Sequence, residues 1–241
     1  MRTLAVVEPA CETEPSLVAR VMRSVNDHIR AHRLKPGMPI PGEATFATET
    51  GVSRAVVREA FRSLSTLGII EVGNGRKARV GAIDQTVLPL VLDHAVQTNQ
   101  VSIQQIYDVR RTIEMRTVAL AALRRSGAEA AEIAGLASTM RQVRQRPDAI
   151  MEVDIAFHEA IAVASRNPLF ALIVNAFHVV TRQTWHIGWA SRRLESDRLS
   201  SIACHERIAA AIVARDAPAA EAAMAEHFDS SVKVLLDAGV I

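Results

Sequence analysis

From about residue 84 onward, apolar residues recur at spacings of three and four, and no stretch alternates apolar with polar as a half-buried strand does. The segments "IQQIYDVRRTIEMRTVALAALRRS", "AEAAEIAGLASTMRQVRQR", "PDAIMEVDIAFHEAIAVASR", "NPLFALIVNAFHVVTRQTWHIGWAS", "LESDRLSSIACHERIAAAIVAR" and "APAAEAAMAEHFDSSVKVLLDAG" each carry one such stripe. Breaks fall near Gly127, Pro147, Pro168 and Pro218. A striped helix must bury its stripe against another element, and here the available elements are more helices. Residues 102–241 are therefore expected to form an all-α bundle. Residues 83–101 add a linker and first bundle helix, for about seven helices in all. Composition agrees: 49% of the 241 residues are hydrophobic but only 4% aromatic, which suits helices packed through Ala, Leu and Val.

The front of the chain differs in charge as well as in pattern. Residues 16–82 hold eleven Lys and Arg against five Asp and Glu, whereas residues 83–241 hold sixteen against eighteen. A basic head on a mildly acidic body suits contact with a polyanion. Residues 1–15, with Pro9, Pro15 and no helical period, are expected to be a flexible tail. In "SLVARVMRSVNDHIRAHRL", Leu17, Val21, Val25 and Ile29 share one stripe, so a first helix is expected, ended by "KPGMPIPG". "EATFATETG" reads as a second helix with Phe46 inward. A third follows the turn Gly51-Val52-Ser53 and closes at Gly68. "IIEVGNGRKARV" then reads as two short strands around Gly73-Asn74-Gly75.

Helix, helix, turn, helix and hairpin are the order of a winged helix-turn-helix, expected over residues 16–82. The whole chain is thus expected to be mostly α. No apolar run reaches the roughly 20 residues a bilayer requires, and no signal-peptide pattern opens the chain. A cytoplasmic protein with no membrane contact is expected, its Cys11 and Cys204 free thiols.

On the third helix, Ser53 suits the N-cap, and Arg54 and Arg58 lie one turn apart. Val57, Phe61 and Leu64 fall on another face. These residue types fit a solvated basic face as well as a recognition helix in the DNA major groove, and the surrounding pattern favours the second. Arg76, Lys77 and Arg79, on a glycine-containing hairpin, can approach a sugar–phosphate backbone closely.

In the bundle, Asp154 and His158 are four apart and share a helix face. His205 and His227 lie on two later helices. One carboxylate and three imidazoles converging from three helices would suit a divalent ion of the zinc, nickel or manganese class. By spacing alone His94, His178 and His186 serve equally well, and a buried histidine satisfied by hydrogen bonds is the commoner outcome. Arg110 and Glu114 form an i,i+4 pair: either a surface ion pair, or an arginine aimed inward at a carboxylate ligand. Trp185 and Trp189 read as packing. Cys204 and His205 point about 100° apart on a helix, which argues against a thiol–imidazole pair.

These residues resemble a known family. "LKPGMPIPGEATFATETGVSRAVVREAFRSLSTLGIIEVGNGRKARV" resembles the winged helix-turn-helix of GntR-family bacterial transcription regulators. "DIAFHEAI", "NPLF", "HERIAAAIVARD" and "AEAAMAEHF" resemble the helical FCD effector domain of the FadR subfamily. The resemblance spans roughly residues 16 to 237. It implies that Ser53, Arg54 and Arg58 contact DNA from the recognition helix, and that Asn74, Gly75 and Arg76 form the wing tip. It also implies that Asp154, His158, His205 and His227 hold a metal, and that Arg110 lies near the effector. Three departures bear on the operator sequence: Gly42 stands where a capping serine is usual, Ala44 where several relatives carry arginine, and "GNGRKARV" carries extra cations in the wing.

The expected function is a DNA-binding repressor, not an enzyme. It would bind a palindromic operator as a homodimer and answer to a small carboxylate or sugar acid at the metal site. Two other readings fit the residues: a metal-dependent enzyme fused to a DNA-binding head, with Glu159 and Glu206 beside the ligands, or a bundle that only dimerises.

Overall fold

The computed structural model describes residues 15–73, 77–82 and 85–240. The tail up to residue 14 and the wing-tip residues Asn74, Gly75 and Arg76 lie outside the described residues. The chain divides into two compact units that part between residues 84 and 85.

The first unit contains α1 (Leu17–Ala31), α2 (Glu43–Thr50), α3 (Arg54–Thr66), β1 (Ile70–Glu71) and β2 (Arg79–Val80). Its core is Val21, Val25, Phe46, Val57, Phe61, Leu64, Ile70 and Val80 with their neighbours, the stripe residues of all three helices and the inward positions of the strands. Gly51 ends α2 with φ +69° and releases the chain into the turn before α3. Ser53 caps α3, its hydroxyl accepting from Val56 N at 3.4 Å. Gly42 opens α2 without a side-chain cap. The strands pair antiparallel, Ile70 opposite Val80 and Glu71 opposite Arg79. Gly81 lies so close to the end of α3 that a Cβ there would meet Gly68 O at 2.0 Å, so no other residue fits.

The second unit is all helical among its described residues: α4 (Val87–Gln97), α5 (Ile103–Arg124), α6 (Gly127–Val143), α7 (Pro147–Ala164), α8 (Pro168–Ala176), α9 (His178–Ser191), α10 (Glu195–Ala214) and α11 (Ala217–Asp237). The sequence breaks act as helix starts. Pro147 and Pro168 occupy first positions, where a missing N–H costs nothing. Ser102 with Gln105, and Ser126 with Glu129, form capping boxes at α5 and α6. Asp216 caps α11 through its side chain. Eight helices stand where about seven are expected, because "NPLFALIVNAFHVVTRQTWHIGWAS" is two. The break at Phe177 contains neither glycine nor proline: Phe177 N donates to Val174 O, and His178 Nδ1 lies 2.6 Å from Asn175 O. No described helix is long and apolar enough to cross a membrane.

Candidate functional site

Helix α5 carries an unusual buried stripe. Tyr107, Arg110, Glu114, Thr117, Val118 and Ala121 succeed one another at spacings of one to four and are all buried. Arg110 is 5% exposed and Glu114 1%, so their pair at 3.0 Å is an interior one. The pair is therefore not a surface one, and Arg110 faces the interior. Arg110 also donates from Nη1 to Thr181 Oγ1 at 2.9 Å and lies 5.4 to 5.8 Å from the ring centres of Tyr107, Phe228 and Phe177.

Glu114 carries the polar chain onward to His158 on α7. Its Oε2 accepts from His158 Nδ1, the only sense available because an ionised carboxylate has no proton to give. Burial opposes ionisation of Glu114, but His158 and Arg110 outweigh it and hold the carboxyl below its usual range. Burial likewise opposes protonation of His158, and the Glu114 charge overcomes it and raises the imidazole.

With Nδ1 so fixed, His158 Nε2 points away from Glu114. Among the described residues it is the buried side-chain polar atom left without a hydrogen-bond partner. Near it come His205 from α10 and His227 from α11: one ring nitrogen from each of the three histidines lies within 4.8 Å of the others. Asp154 sits at the edge of this cluster. Its Oδ1 is 2.9 Å from His205 Nε2 and its Oδ2 is 4.0 Å from His158 Nε2. Burial raises the Asp154 carboxyl, but the His205 hydrogen bond and the field of His158 more than reverse this and push it below the normal range. His205 places its Nδ1 2.9 Å from Ser201 O, which orients the ring. Burial, then the neighbouring His205 and His158, lowers His227 well below an ordinary histidine, which keeps the ring neutral and leaves one of its nitrogens with a free lone pair.

An orphaned buried imidazole nitrogen, two more imidazoles and a carboxylate form a donor set that fits a divalent ion with nitrogen preference. The other candidate histidines are elsewhere: His94 is exposed, His178 faces Asn175 O, and His186 pairs with Asp148 at 3.3 Å on the surface. Cys204 turns from the cluster and donates to Ala223 O at 3.3 Å, and burial pushes its thiol up to about 11. The two glutamates that could serve as a general base are also engaged outside the cluster. Glu159 accepts from Asn175 Nδ2 at 2.7 Å, and Glu206 takes both arms of Arg141 at 2.8 and 2.7 Å.

A cavity of about 50 Å³ opens beside the cluster, walled by Arg110, Asp154, Trp189, Arg192, His205 and His227 among others. Trp185 and Trp189, stacked with centroids 5.6 Å apart, also line it. Sequence reading missed Glu114 as the partner of His158, and missed Thr181 and Arg192. For Glu114 the signal exists: Arg110 and Glu114 fall on the same face as Tyr107, Thr117 and Ala121.

In the first unit, Ser53, Arg54 and Arg58 are exposed at the first turns of α3. Arg58 reaches Glu43 at 3.4 Å across open surface. Arg79 is drawn back from the wing, its Nη1 donating to Gly37 O at 2.6 Å, while Lys77 stays exposed.

Residues 17–80 match the model of the bacterial regulatory proteins of the gntR family, and residues 105–230 match the FCD domain. The HTH-type transcriptional regulator LutR of Bacillus subtilis is 30% identical over 213 residues, covering 86% of this chain and 95% of the relative. The galactonate operon transcriptional repressor of Escherichia coli is 28% identical over 222 residues, covering 90% and 95%. The solved Streptococcus agalactiae GntR shares the fold, with a TM-score of 0.61 at 23% identity over 88% of this chain and 97% of that one. The chain belongs to the GntR family, with an FCD domain behind its DNA-binding head, and is a transcriptional regulator rather than an enzyme.

Proposed function

We propose that the chain is a cytoplasmic repressor that binds a palindromic operator as a homodimer and responds to a small carboxylate or sugar acid at a metal site. On the DNA side, Ser53, Arg54 and Arg58 would contact the major groove from α3, with Asn74, Gly75 and Arg76 at the wing tip. A single recognition helix reads few base pairs, so two copies related by a two-fold axis match a palindrome. The relative named for a galactonate operon supports both the repressor role and the sugar-acid class.

In the bundle, Asp154, His158, His205 and His227 would hold an ion of the zinc, nickel or manganese class. When bound, it supplies a positive centre that attracts a ligand carboxylate. The observation that carries this reading is His158 Nε2: buried, unpartnered, and aimed by the Glu114 bond at Nδ1. The effector would enter the adjoining cavity, which Arg110 also lines. It changes operator affinity only so far as it binds the two arrangements of the dimer unequally.

Calorimetric titration of zinc, nickel and manganese into chelator-treated full-length protein tests the site. Wild type is expected to bind one ion per chain, and His158→Ala and His205→Ala to bind it at least about 100-fold more weakly. Equal affinity in all three proteins would place the metal elsewhere.

A further inference from the structure

We propose that Arg192, rather than Arg110, is the side chain that pairs with the effector's carboxylate, in a site shaped for a small hydroxy acid. The inference rests on the effector reading above and divides the labour of two arginines that line one cavity.

Arg110 is already committed. Its Nε serves Glu114, its Nη1 serves Thr181, and three aromatic rings surround its guanidinium. Its side chain is 6% exposed and that of Glu114 2%. Turning Arg110 toward a ligand would strand the Glu114 carboxylate in the interior, a costly exchange. Glu114 would then also lose the charge that balances it beside His158.

Arg192 is in the opposite condition. It is half-buried, and its own helix supplies Gly188 O to Nη1 at 3.0 Å. Among the described residues no carboxylate forms an ion pair with it; Asp154 and Asp197 act on it only through space. Burial is the main influence on the group and disfavours its charge. A partly desolvated guanidinium with most of its five donors unspent is a cost to the free protein that an incoming carboxylate removes by bidentate pairing.

Its position suits that task. Arg192 lines the inner cavity together with Asp154, His205 and His227, and also lines a second polar groove of about 340 Å³ with Ser200, Ser230, Lys233 and the carboxylates Asp197, Glu226 and Asp237. Arg192 and His227 border both, so a carboxylate paired with Arg192 lies beside the histidine cluster. The hydroxyl-bearing Tyr107, Thr184, Ser201 and Ser231 line the same inner cavity and supply partners for ligand hydroxyls. Small size, one negative charge and one or more hydroxyls describe the ligand that fits.

The test is calorimetry on zinc-loaded full-length protein with acetate, lactate and galactonate as probes. Wild type is expected to bind at least one of the two hydroxy acids more tightly than acetate. Arg192→Gln is expected to weaken that binding by about 10- to 100-fold, and Arg192→Lys by less, with zinc affinity unchanged in both. If Arg192→Gln binds the hydroxy acid as wild type does while Arg110→Gln loses it, this assignment is overturned and the carboxylate-effector reading stands. If wild type binds none of the probes up to 50-fold above the zinc-loaded protein concentration, both are overturned. Loss of zinc together with the probe in Arg192→Gln would make Arg192 a support of the cluster and also overturn the assignment.

Discussion

Glu114 lies between a guanidinium and an imidazole with almost no exposure, and each neighbour depends on it. Remove its carboxylate and Arg110 becomes a buried cation without a counter-charge, while His158 loses the bond that aims its Nε2. Glu114→Ala is therefore expected to cost about 3–5 kcal/mol, read from urea denaturation of the metal-free protein. It should also weaken metal binding by about 10- to 100-fold, since the partner of a ligand's second nitrogen tunes both orientation and basicity. A change under about 1 kcal/mol would mean the pair is solvated in solution and not the interior network described. This residue also marks where sequence reading reached its limit. An Arg–Glu pair at i,i+4 looks the same on a wet face and in a core, and only the burial of the surrounding stripe separates the two. The histidines behave similarly: the 154–158 spacing fixes one helix face, but the approach of His205 and His227 depends on how α7, α10 and α11 pack.

At the scale of elements, much of the fold was legible because helices announce their ends chemically. Ser53, Ser102, Ser126, Asn167 and Asp216 each cap a helix through the side chain, and Pro147 and Pro168 begin theirs. The break between α8 and α9 escaped because its signal is a backbone turn at Phe177 with no punctuating residue. The α6 cap offers a test with a defined pH sign. The Ser126 backbone N–H, then its hydroxyl and Arg166, hold the Glu129 carboxyl below its ordinary value of 4.5. A depressed folded value means the stabilisation is present above the ordinary value and is lost as pH falls through the folded one. Glu129→Ala should cost about 1 kcal/mol near neutral pH, and the difference from wild type should shrink as pH falls below 4.5 through the lowered folded value. A difference that stays constant across that range would assign the effect to helix packing and not to the charge. On α3, the Arg58–Glu43 pair is exposed and contributes roughly 0–1 kcal/mol, so Arg58 can be removed without harming the head. Arg54→Ala and Arg58→Ala should each weaken binding to a duplex from upstream of the protein's own gene. Where the lost contact is to phosphate, the salt dependence should fall by about one unit of slope, measured by fluorescence anisotropy. Unchanged affinity in both variants would remove α3 from the DNA interface.

For the molecule as a whole, the two units have separate cores, and the candidate metal cluster belongs to the second. Both tryptophans, Trp185 and Trp189, also lie in that unit, so indole fluorescence follows the bundle while far-UV ellipticity follows both units. An ion bound only by the folded cluster at about 100 times its dissociation constant adds roughly 2.7 kcal/mol to the bundle's stability. That should raise the fluorescence-detected melting temperature by about 5–10 °C in a unit of this size. The ellipticity curve should then widen into two steps, because metal lifts one unit and leaves the other. His205→Ala should melt at the same temperature with and without the ion. Adding duplex DNA instead should raise the ellipticity step that fluorescence does not see, since its contacts would fall on α3 and the wing. A metal-induced rise that survives in His205→Ala would detach the stabilisation from the histidine cluster, because no other set of three described His, Cys, Asp or Glu side chains converges as closely.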